Sequence, residues 1–165
     1  MKLRNLLTKF KMKKIKLYIA TSINGYIARE DGSIDWLENI PKLEDNDYGY
    51  KEFYNSIGTT IMGNATYQQL LSWGIDFPYP DKKNYVVTSK TKYQNTNYVD
   101  FISKNHFEFI SELRKQHGSD IWLVGGGYLN TMMLNAGLID EIIQDYNTVL
   151  IAAAGNTCLY GATIR

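Results

Sequence analysis

Three consecutive glycines after an apolar run are the residues best suited to bind a ligand. Residues 121–124 (IWLV) predict a buried strand, and Gly125, Gly126 and Gly127 leave the turn that follows without side chains. The next residues predict a helix, whose free N-terminal amides and dipole favour an anion. An ordinary tight turn is the alternative, since Asn130 stands where the G-x-G-x-x-G dinucleotide pattern needs its third glycine.

A second strand-to-helix junction occurs at residues 61–70 (IMGNATYQQL). A short apolar strand meets Gly63 and a helix opens near Thr66, so amides are again positioned to face an anion. In an open parallel sheet, ligands bind at the carboxyl ends of strands beside a topological switch point. Two such junctions suit an extended ligand with a diphosphate. The alternative is that both are the ordinary turns that every such sheet contains.

The elements that must position these junctions alternate along the chain. Strands are predicted at residues 15–21, 59–62, 84–89, 97–102, 121–124 and 139–144. Helices are predicted at residues 46–57, 65–71 and 105–117 and directly after the glycine turn. This alternation predicts an α/β domain with a mostly parallel central sheet flanked by helices.

Composition narrows the functional classes. The 165 residues are 44% hydrophobic and 21% charged, which suits one domain with a substantial core. A formal net charge of +1 gives no general reason to expect a nucleic acid or membrane partner, so an anion must be bound locally. A single cysteine, Cys158, excludes an intrachain disulfide and a cysteine-based zinc cluster, and only His106 and His117 are available for a histidine site. We therefore expect no metal, and we expect both histidines on a helix surface.

Residues 1–14 are basic and are predicted to be an extension that precedes a domain of residues 15–165. Charges interrupt the apolar residues every few positions, so the segment lacks the continuous core of a signal peptide. No stretch is apolar enough to span a bilayer, and we expect a cytoplasmic protein. The extension is open to three interpretations: a surface helix, a disordered arm, or an early start with Met12 as the alternative initiator.

Four motifs, taken in order, resemble the dihydrofolate reductase-like family, especially the branch that contains the reductase domain of bacterial riboflavin biosynthesis. They are YIATSINGYIAREDGSIDWL (18–37), IMGNATYQQL (61–70), VVTSK (86–90) and IWLVGGGYLNTMMLNAGLIDEI (121–142). They cover most of residues 15–145, and their order and spacing are more specific than any one of them. The resemblance implies a three-layer α/β fold with a mostly parallel central sheet, and NADPH as the cofactor.

The resemblance also implies cofactor contacts in four segments. Ala20 would contact the nicotinamide amide through its backbone. The mobile loop over that ring would contain Asn24, Gly25, Tyr26 and Ile27. The segment at the cofactor phosphates would be Gly63, Asn64, Ala65 and Thr66. The turn beside the adenosine and its 2′-phosphate would be Thr88, Ser89 and Lys90. The turn at the diphosphate would be Gly125, Gly126, Gly127, Tyr128 and Leu129.

The implied chemistry is hydride transfer to a C=N or C=O carbon of a pterin-like or ribosylaminopyrimidine-like heterocycle. The protein would mainly position the reactants and exclude water. Asp35, Trp36 and Asp47 are candidates to contact the substrate, although Asp47 also suits a helix N-cap. Asp140 and Glu141 are interpreted as solvated charges at the start of a strand.

The chain departs from the family pattern in two places. Asn64 stands where the family usually has an arginine for the 2′-phosphate, and Lys90 and Lys92 are candidates to compensate. Beyond residue 145 the family's glycine-rich turn is not matched, which predicts a shortened C-terminal hairpin and an exposed sheet edge. Such an edge favours either a homodimer or instability.

No H-x-E motif with P-C-x-x-C occurs, so a deaminase partner domain is not expected and the chain would be a stand-alone reductase. Two alternatives remain open. One is a dihydrofolate reductase proper, and the other, from a different class, is a catalytically weak nucleotide-binding protein.

Overall fold

The structure, a computed structural model, describes residues 11–38 and 47–147. The strands are β1 (Ile15–Ser22), β2 (Ile57–Gly63), β3 (Lys83–Val87), β4 (Val99–Ile102), β5 (Asp120–Gly125) and β6 (Glu141–Asn147). The helices are α1 (Asp35–Glu38), α2 (Tyr50–Ser56), α3 (Asn64–Ser72), α4 (His106–Lys115) and α5 (Gly127–Asn135). Residues 1–10 of the basic extension, and residues 148–165 with Cys158 and the predicted shortened hairpin, lie outside the described residues.

The six strands form one sheet in the order β4-β3-β2-β5-β1-β6. Each pairing between neighbouring strands is parallel. The prediction of an α/β domain with a mostly parallel central sheet is therefore confirmed. All carboxyl ends of these strands meet at one edge of the sheet, which is where ligands bind in folds of this kind.

Side chains that alternate along each strand divide the core into two layers. Ile61 of β2 and Leu123 of β5 point to one face, where they pack with α4 and α5. Met62 and Trp122, the adjacent residues, point to the other face and pack with α2 and α3. Burial on both faces explains why residues 121–124 of β5 form a continuous apolar run rather than an alternation of apolar and polar residues.

The direction of the connections places a topological switch point between β2 and β5. The chain leaves β2 through α3 toward β3, and it leaves β5 through α5 toward β6 on the opposite side. Because strand-helix-strand connections are right-handed, these two helices lie on opposite faces of the sheet. Their N-termini therefore approach the same point of the sheet edge from its two faces.

Several predicted boundaries differ from those observed, and β4 and β6 both begin two residues later than predicted. The helix predicted at residues 46–57 begins at Tyr50, because Gly49 has a positive φ of 78°, and it ends before Ile57, which has extended dihedral angles and begins β2. Strand β3 ends at Val87, so Thr88 and Ser89 lie in the loop that follows. His117 lies beyond α4 rather than on its surface, because Gln116 is already extended.

Asp140 makes long-range contacts that its position in the sequence does not indicate. Its carboxylate accepts two hydrogen bonds from Nη2 of Arg114, at 2.7 and 2.9 Å, and one from the backbone N–H of Ile15 at 2.8 Å. It thus joins α4 to the start of β1. Asp140 is exposed, as interpreted from the sequence, and it also links segments that are distant in sequence.

We predict that Asp140→Ala lowers the free energy of unfolding by about 1–3 kcal/mol, because the change leaves the Ile15 N–H and the Arg114 guanidinium without their acceptor. Glu141→Ala is the matched control, since its ion pair with Lys14 is long (3.7 Å) and exposed, and we expect a loss below about 0.5 kcal/mol. Urea denaturation of both variants measures the difference. Equal losses would show that the Asp140 contacts contribute nothing beyond a surface charge.

Candidate active site

The sheet splits between β1 and β5 at the carboxyl end. The two strands pair only from Ile15 with Ile121 to Leu17 with Leu123, although β1 continues to Ser22 and pairs with β6 over that whole stretch. The indole N–H of Trp122 donates to the carbonyl of Tyr18, the first residue of β1 beyond this ladder, at 3.4 Å. The result is a cleft with residues 18–22 on one side and the end of β5 on the other.

Helices α3 and α5 both begin beside this cleft with uncapped N-termini. Their N-cap residues are Gly63 and Gly126, both extended, and neither helix has a side-chain cap. The first amides of a helix lack partners within the helix. Two sets of such amides, with the positive ends of two helix dipoles, therefore converge at the switch point.

The two junctions lie close together. Met62 of β2 is in register with Gly125 of β5. A Cβ on Gly126 would lie 3.3 Å from Oγ1 of Thr66, and one on Gly63 would lie 3.7 Å from the carbonyl oxygen of Gly125. Any side chain at Gly126 would project into the gap between the two helix starts. A turn of bare backbone at this point fits a diphosphate.

The loop after β3 extends this surface away from the cleft. Val87 pairs with Gly63, so Thr88 follows the neighbouring strand end. The Thr88 hydroxyl accepts the N–H of Lys90 at 3.1 Å, and its carbonyl lies 3.2 Å from Nε2 of His106. His106 thus anchors this loop and is not simply a surface residue of α4. Ser89 and Lys90 are exposed.

The loop after β1 lies at the other end of the surface. Gly25 has a φ of 82°, which favours glycine, and its N–H donates to the carbonyl of Ser22 at 3.0 Å. The Ser22 hydroxyl donates to Oδ1 of Asn24 at 2.8 Å and accepts the N–H of Tyr26 at 2.9 Å. Ile27 packs against the core layer of α4 and α5. The loop therefore folds back toward the glycine turn.

The cofactor candidates thus fall into adjacent segments at one edge of the sheet, with individual differences. Ala20 lies on the cleft side of β1, and Asn64, Ala65 and Thr66 form the first turn of α3. Tyr128 is exposed, whereas Leu129 is buried in the core, so only the backbone of Leu129 could contact a ligand.

An aromatic cluster on the α2 face of the cleft is not among the predicted site residues. The Tyr18 ring stacks on Phe53 at 4.5 Å and meets Tyr50 edge-on at 6.0 Å, and Tyr50 lies 6.1 Å from Trp122. The Tyr18 hydroxyl donates to the carbonyl of Tyr48 at 3.3 Å. The alternation of side chains along β1 and β5 predicts that Tyr18 and Trp122 each point to one face of the sheet. Their proximity depends on the pairing of the two strands, which the sequence does not show.

Asp35 and Trp36 occupy different environments although they are adjacent. The Asp35 carboxylate accepts hydrogen bonds from Nε and Nη2 of Arg29 at 2.6 and 3.1 Å, and this guanidinium holds its pKa below the ordinary range. Asp35 therefore remains ionised near neutral pH and does not suit a general acid. Trp36 is buried, and its indole N–H has no hydrogen-bond partner within the part of the chain that the structure describes.

Asp47 lies two residues before Gly49, the N-cap residue of α2, and accepts an amide of the first turn. Its carboxylate accepts the backbone N–H groups of Lys51 at 2.9 Å and Gly49 at 3.1 Å, and these bonds hold its pKa below the ordinary range. The geometry thus favours the capping alternative. Because the folded-state pKa is lowered, this stabilisation is complete above the ordinary aspartate pKa and is lost as the pH falls through the lowered value.

We predict that Asp47→Ala lowers the thermal midpoint slightly, whereas Asp47→Asn retains most of the stability, since asparagine also caps helices. The difference between Asp47→Ala and the unaltered chain should shrink in acid, which a melting series across pH measures. A substrate contact would behave differently, because removal of the charge in Asp47→Asn would then reduce kcat/KM as much as Asp47→Ala does.

The chain has two close relatives in Bacillus subtilis (strain 168), the uncharacterized proteins YwjB and YyaP. It is 40% identical to YwjB over 131 residues, which cover 79% of this chain and 74% of YwjB. The chain belongs to this family. It is 32% identical to YyaP, over 86% of this chain and 78% of YyaP. No protein-family model matches the chain.

Solved structures place the YwjB family chain in the dihydrofolate reductase-like fold. A Shewanella sp. PV-4 protein described as "Putative riboflavin biosynthesis protein" is 26% identical with a TM-score of 0.78, covering 92% of this chain and 85% of that one. Dihydrofolate reductase from Enterococcus faecalis, complexed with NADP(H), is 18% identical with a TM-score of 0.60, covering 88% and 76%. The predicted resemblance and the three-layer fold are confirmed.

A third solved structure has the same fold within a longer chain. The diaminohydroxyphosphoribosylaminopyrimidine deaminase/5-amino-6-(5-phosphoribosylamino)uracil reductase of Thermotoga maritima is 13% identical with a TM-score of 0.64. The similarity covers 92% of this chain but 48% of the bifunctional protein.

The described residues contain no helix that is both long and apolar enough to cross a membrane. They also contain no group of three or more histidine, cysteine, aspartate or glutamate residues that could hold a metal ion.

Proposed function

We propose that this YwjB family chain is a reductase that uses NADPH to transfer hydride to a pterin-like or ribosylaminopyrimidine-like heterocycle. The observation that carries the proposal is the coincidence of three features at one edge of the sheet. These are the cleft between β1 and β5, the uncapped start of α3 and the glycine turn that begins α5.

The candidate residues span the length of a dinucleotide, and the amides at the two helix starts suit its negative diphosphate. The amides after Gly63 and Gly126 would hold the diphosphate, since a side chain at Gly126 would occupy the gap beside Thr66. The loop that starts at Thr88 would hold the adenosine half, and the cleft beside Ala20 would admit the nicotinamide. Asn24, Gly25 and Ile27 would cover that ring.

Comparison with solved structures supports the choice of substrate class. The Shewanella protein shares 26% identity over nearly the whole chain, and its name points to riboflavin biosynthesis. The two more distant structures, a dihydrofolate reductase and a deaminase/reductase, are named for reductions of heterocycles. A reduced heterocycle is therefore the reaction product that we propose for this chain.

When bound, the reduced nicotinamide supplies the hydride. The chain's own residues position the two reactants and exclude water, because closely held reactants in a dry cleft react faster than free ones. The aromatic cluster of Tyr18, Tyr50 and Trp122 gives the cleft a wall on the α2 face, on which a planar ring could stack. Trp36 has a buried N–H that needs an acceptor, and we propose that a substrate oxygen or ring nitrogen supplies it.

The test is a turnover assay with the full chain, NADPH and two substrates, a ribosylaminopyrimidine and dihydrofolate, followed by loss of absorbance of the reduced cofactor. We expect oxidation that requires the heterocycle, and the preferred substrate assigns the reaction. Trp36→Phe should lower kcat/KM roughly tenfold by removing the N–H while retaining the ring. Binding of NADPH without turnover of either substrate would reject the reductase proposal in favour of a nucleotide-binding protein.

A further inference from the structure

We propose that the site accepts NADH as well as NADPH, because Asn64 and Tyr93 form a neutral contact to the adenosine ribose where a 2′-phosphate would need a dedicated cation. This inference rests on the proposed function and defines its cofactor specificity. It changes the expectation, implied by the family resemblance, of a site specific for NADPH.

Asn64 is the residue that determines this specificity. It is the first residue of α3, directly after the strand end that would contact the diphosphate. Its Nδ2 lies 3.4 Å from the Tyr93 hydroxyl, which links α3 to the loop after β3. The Tyr93 ring stacks on Phe101 at 5.0 Å and 11°, so the hydroxyl belongs to a well-packed side chain.

The carboxamide of Asn64 is better matched to a hydroxyl than to a phosphate. Its Oδ1 is buried and has no hydrogen-bond partner in the described structure. A ribose 2′-hydroxyl can donate a hydrogen bond to this oxygen, whereas an ionised phosphate only accepts hydrogen bonds. If the amide turns over, Nδ2 can donate to a phosphate, but as a neutral donor it lacks the strength of a charged one.

The two described arginines do not supply a substitute. Both described arginines are paired with aspartates, Arg29 with Asp35 and Arg114 with Asp140. The loop carries Lys90 and Lys92, both exposed. Exposed ammonium groups are screened by water and salt and do not bind a phosphate bidentately, as a guanidinium does. They attract both dinucleotides through the diphosphate and therefore discriminate little.

The test measures dissociation constants for NADPH and NADH by calorimetry on four full chains: unaltered, Asn64→Arg, Asn64→Asp and Ser72→Arg. The first two substitutions add opposite charges at the proposed contact. Ser72→Arg is the matched control, since it adds the same charge at the exposed C-terminal end of the same helix, about 12 Å away and beyond the Debye length at physiological salt. Circular dichroism verifies the fold of each chain.

We expect the unaltered chain to bind the two dinucleotides within about tenfold of each other. Asn64→Arg should shift the ratio toward NADPH by roughly ten- to a hundredfold, and Asn64→Asp should shift it toward NADH, because a carboxylate repels the 2′-phosphate. Ser72→Arg should leave the ratio unchanged.

A preference of the unaltered chain for NADPH above about a hundredfold would overturn the inference and leave the proposed function standing. A ratio that neither Asn64 variant changes would also overturn it. If Asn64→Arg does not fold, Asn64→Asp still decides the matter. Absence of binding to either dinucleotide by a folded, unaltered chain would reject the proposed function and the inference together.

Discussion

Gly126→Ala is expected to weaken dinucleotide binding by roughly a hundredfold, the largest effect on ligand affinity that we predict. The new methyl group would lie 3.3 Å from Oγ1 of Thr66, in the gap between the starts of α3 and α5. Thr66 would need to shift by only a few tenths of an ångström, so the protein should remain folded. The diphosphate would nevertheless lose its close approach to the backbone amides. Gly126→Val, with a larger β-branched side chain, should abolish binding.

Gly137→Ala is the control at the opposite end of α5. Gly137 has a φ of 63° and no atom within 4 Å of a Cβ placed there, so alanine would be strained but would touch nothing. We expect a loss of about 1 kcal/mol in the free energy of unfolding with an unchanged dissociation constant. Calorimetric titration and chemical denaturation of both variants separate binding from folding. Wild-type affinity in a folded Gly126→Ala chain would contradict our placement of the diphosphate.

Asn84→Ala is expected to cause the largest loss of stability, about 3–5 kcal/mol. Asn84 is buried in β3, and its Nδ2 lies 3.0, 2.9 and 3.0 Å from the carbonyl oxygens of Tyr79, Lys82 and Tyr98. Its Oδ1 accepts the hydroxyl of Thr60 at 2.7 Å. One carboxamide thus joins β2, β3 and the two loops that flank β3. Alanine would leave these polar groups buried without their partner.

Thr60→Val serves as the matched variant for this network, because it removes only the hydroxyl and retains a side chain of similar shape. We expect a loss of about 1–2 kcal/mol, clearly smaller than for Asn84→Ala. Guanidinium denaturation of both chains gives the comparison. If Asn84→Ala cost no more than Thr60→Val, the three carbonyl contacts would contribute little to the fold.

Local sequence patterns predicted the elements and the two glycine junctions. An apolar run followed by a helical pattern lies within about 20 residues of sequence, and Gly63 and Gly126 mark the points where strand gives way to helix. The parallel sheet followed from the alternation of elements and the right-handed rule. These two junctions are local features of the chain, so the sequence alone located them.

The long-range contacts could not be predicted in this way. The pairing of Asp140 with Arg114 joins residues 26 positions apart, and the approach of Trp122 to Tyr18 joins residues 104 apart. The cleft itself arises because β1 and β5 stop pairing after Leu17 and Leu123. The apolar pattern of a strand does not predict where its hydrogen bonding to a neighbouring strand ends. The helix at residues 46–57 was predicted too long because its apolar spacing continues into Ile57, whose burial is explained by β2 instead.

Asp35 and Asp47 show how local chemistry competes with a functional interpretation. The guanidinium of Arg29 lies six positions before Asp35 across a turn, and the backbone N–H of Lys51 lies four positions after Asp47. Both hydrogen-bond donors are therefore close in sequence to the carboxylate that they contact. A carboxylate with such partners already accepts hydrogen bonds from nearby residues of the chain and does not need a substrate to supply them. Contact of either residue with substrate therefore remains a prediction, as does homodimer formation.

The central claim is that the chain binds a reduced nicotinamide dinucleotide where β2 and β5 end, and calorimetric titration of the full chain with NADPH tests it most directly. We expect one site per chain with a dissociation constant in the micromolar range, and binding that is roughly a hundredfold weaker in Gly126→Ala. A folded chain that releases no heat of binding, and whose thermal midpoint NADPH does not raise, would contradict it.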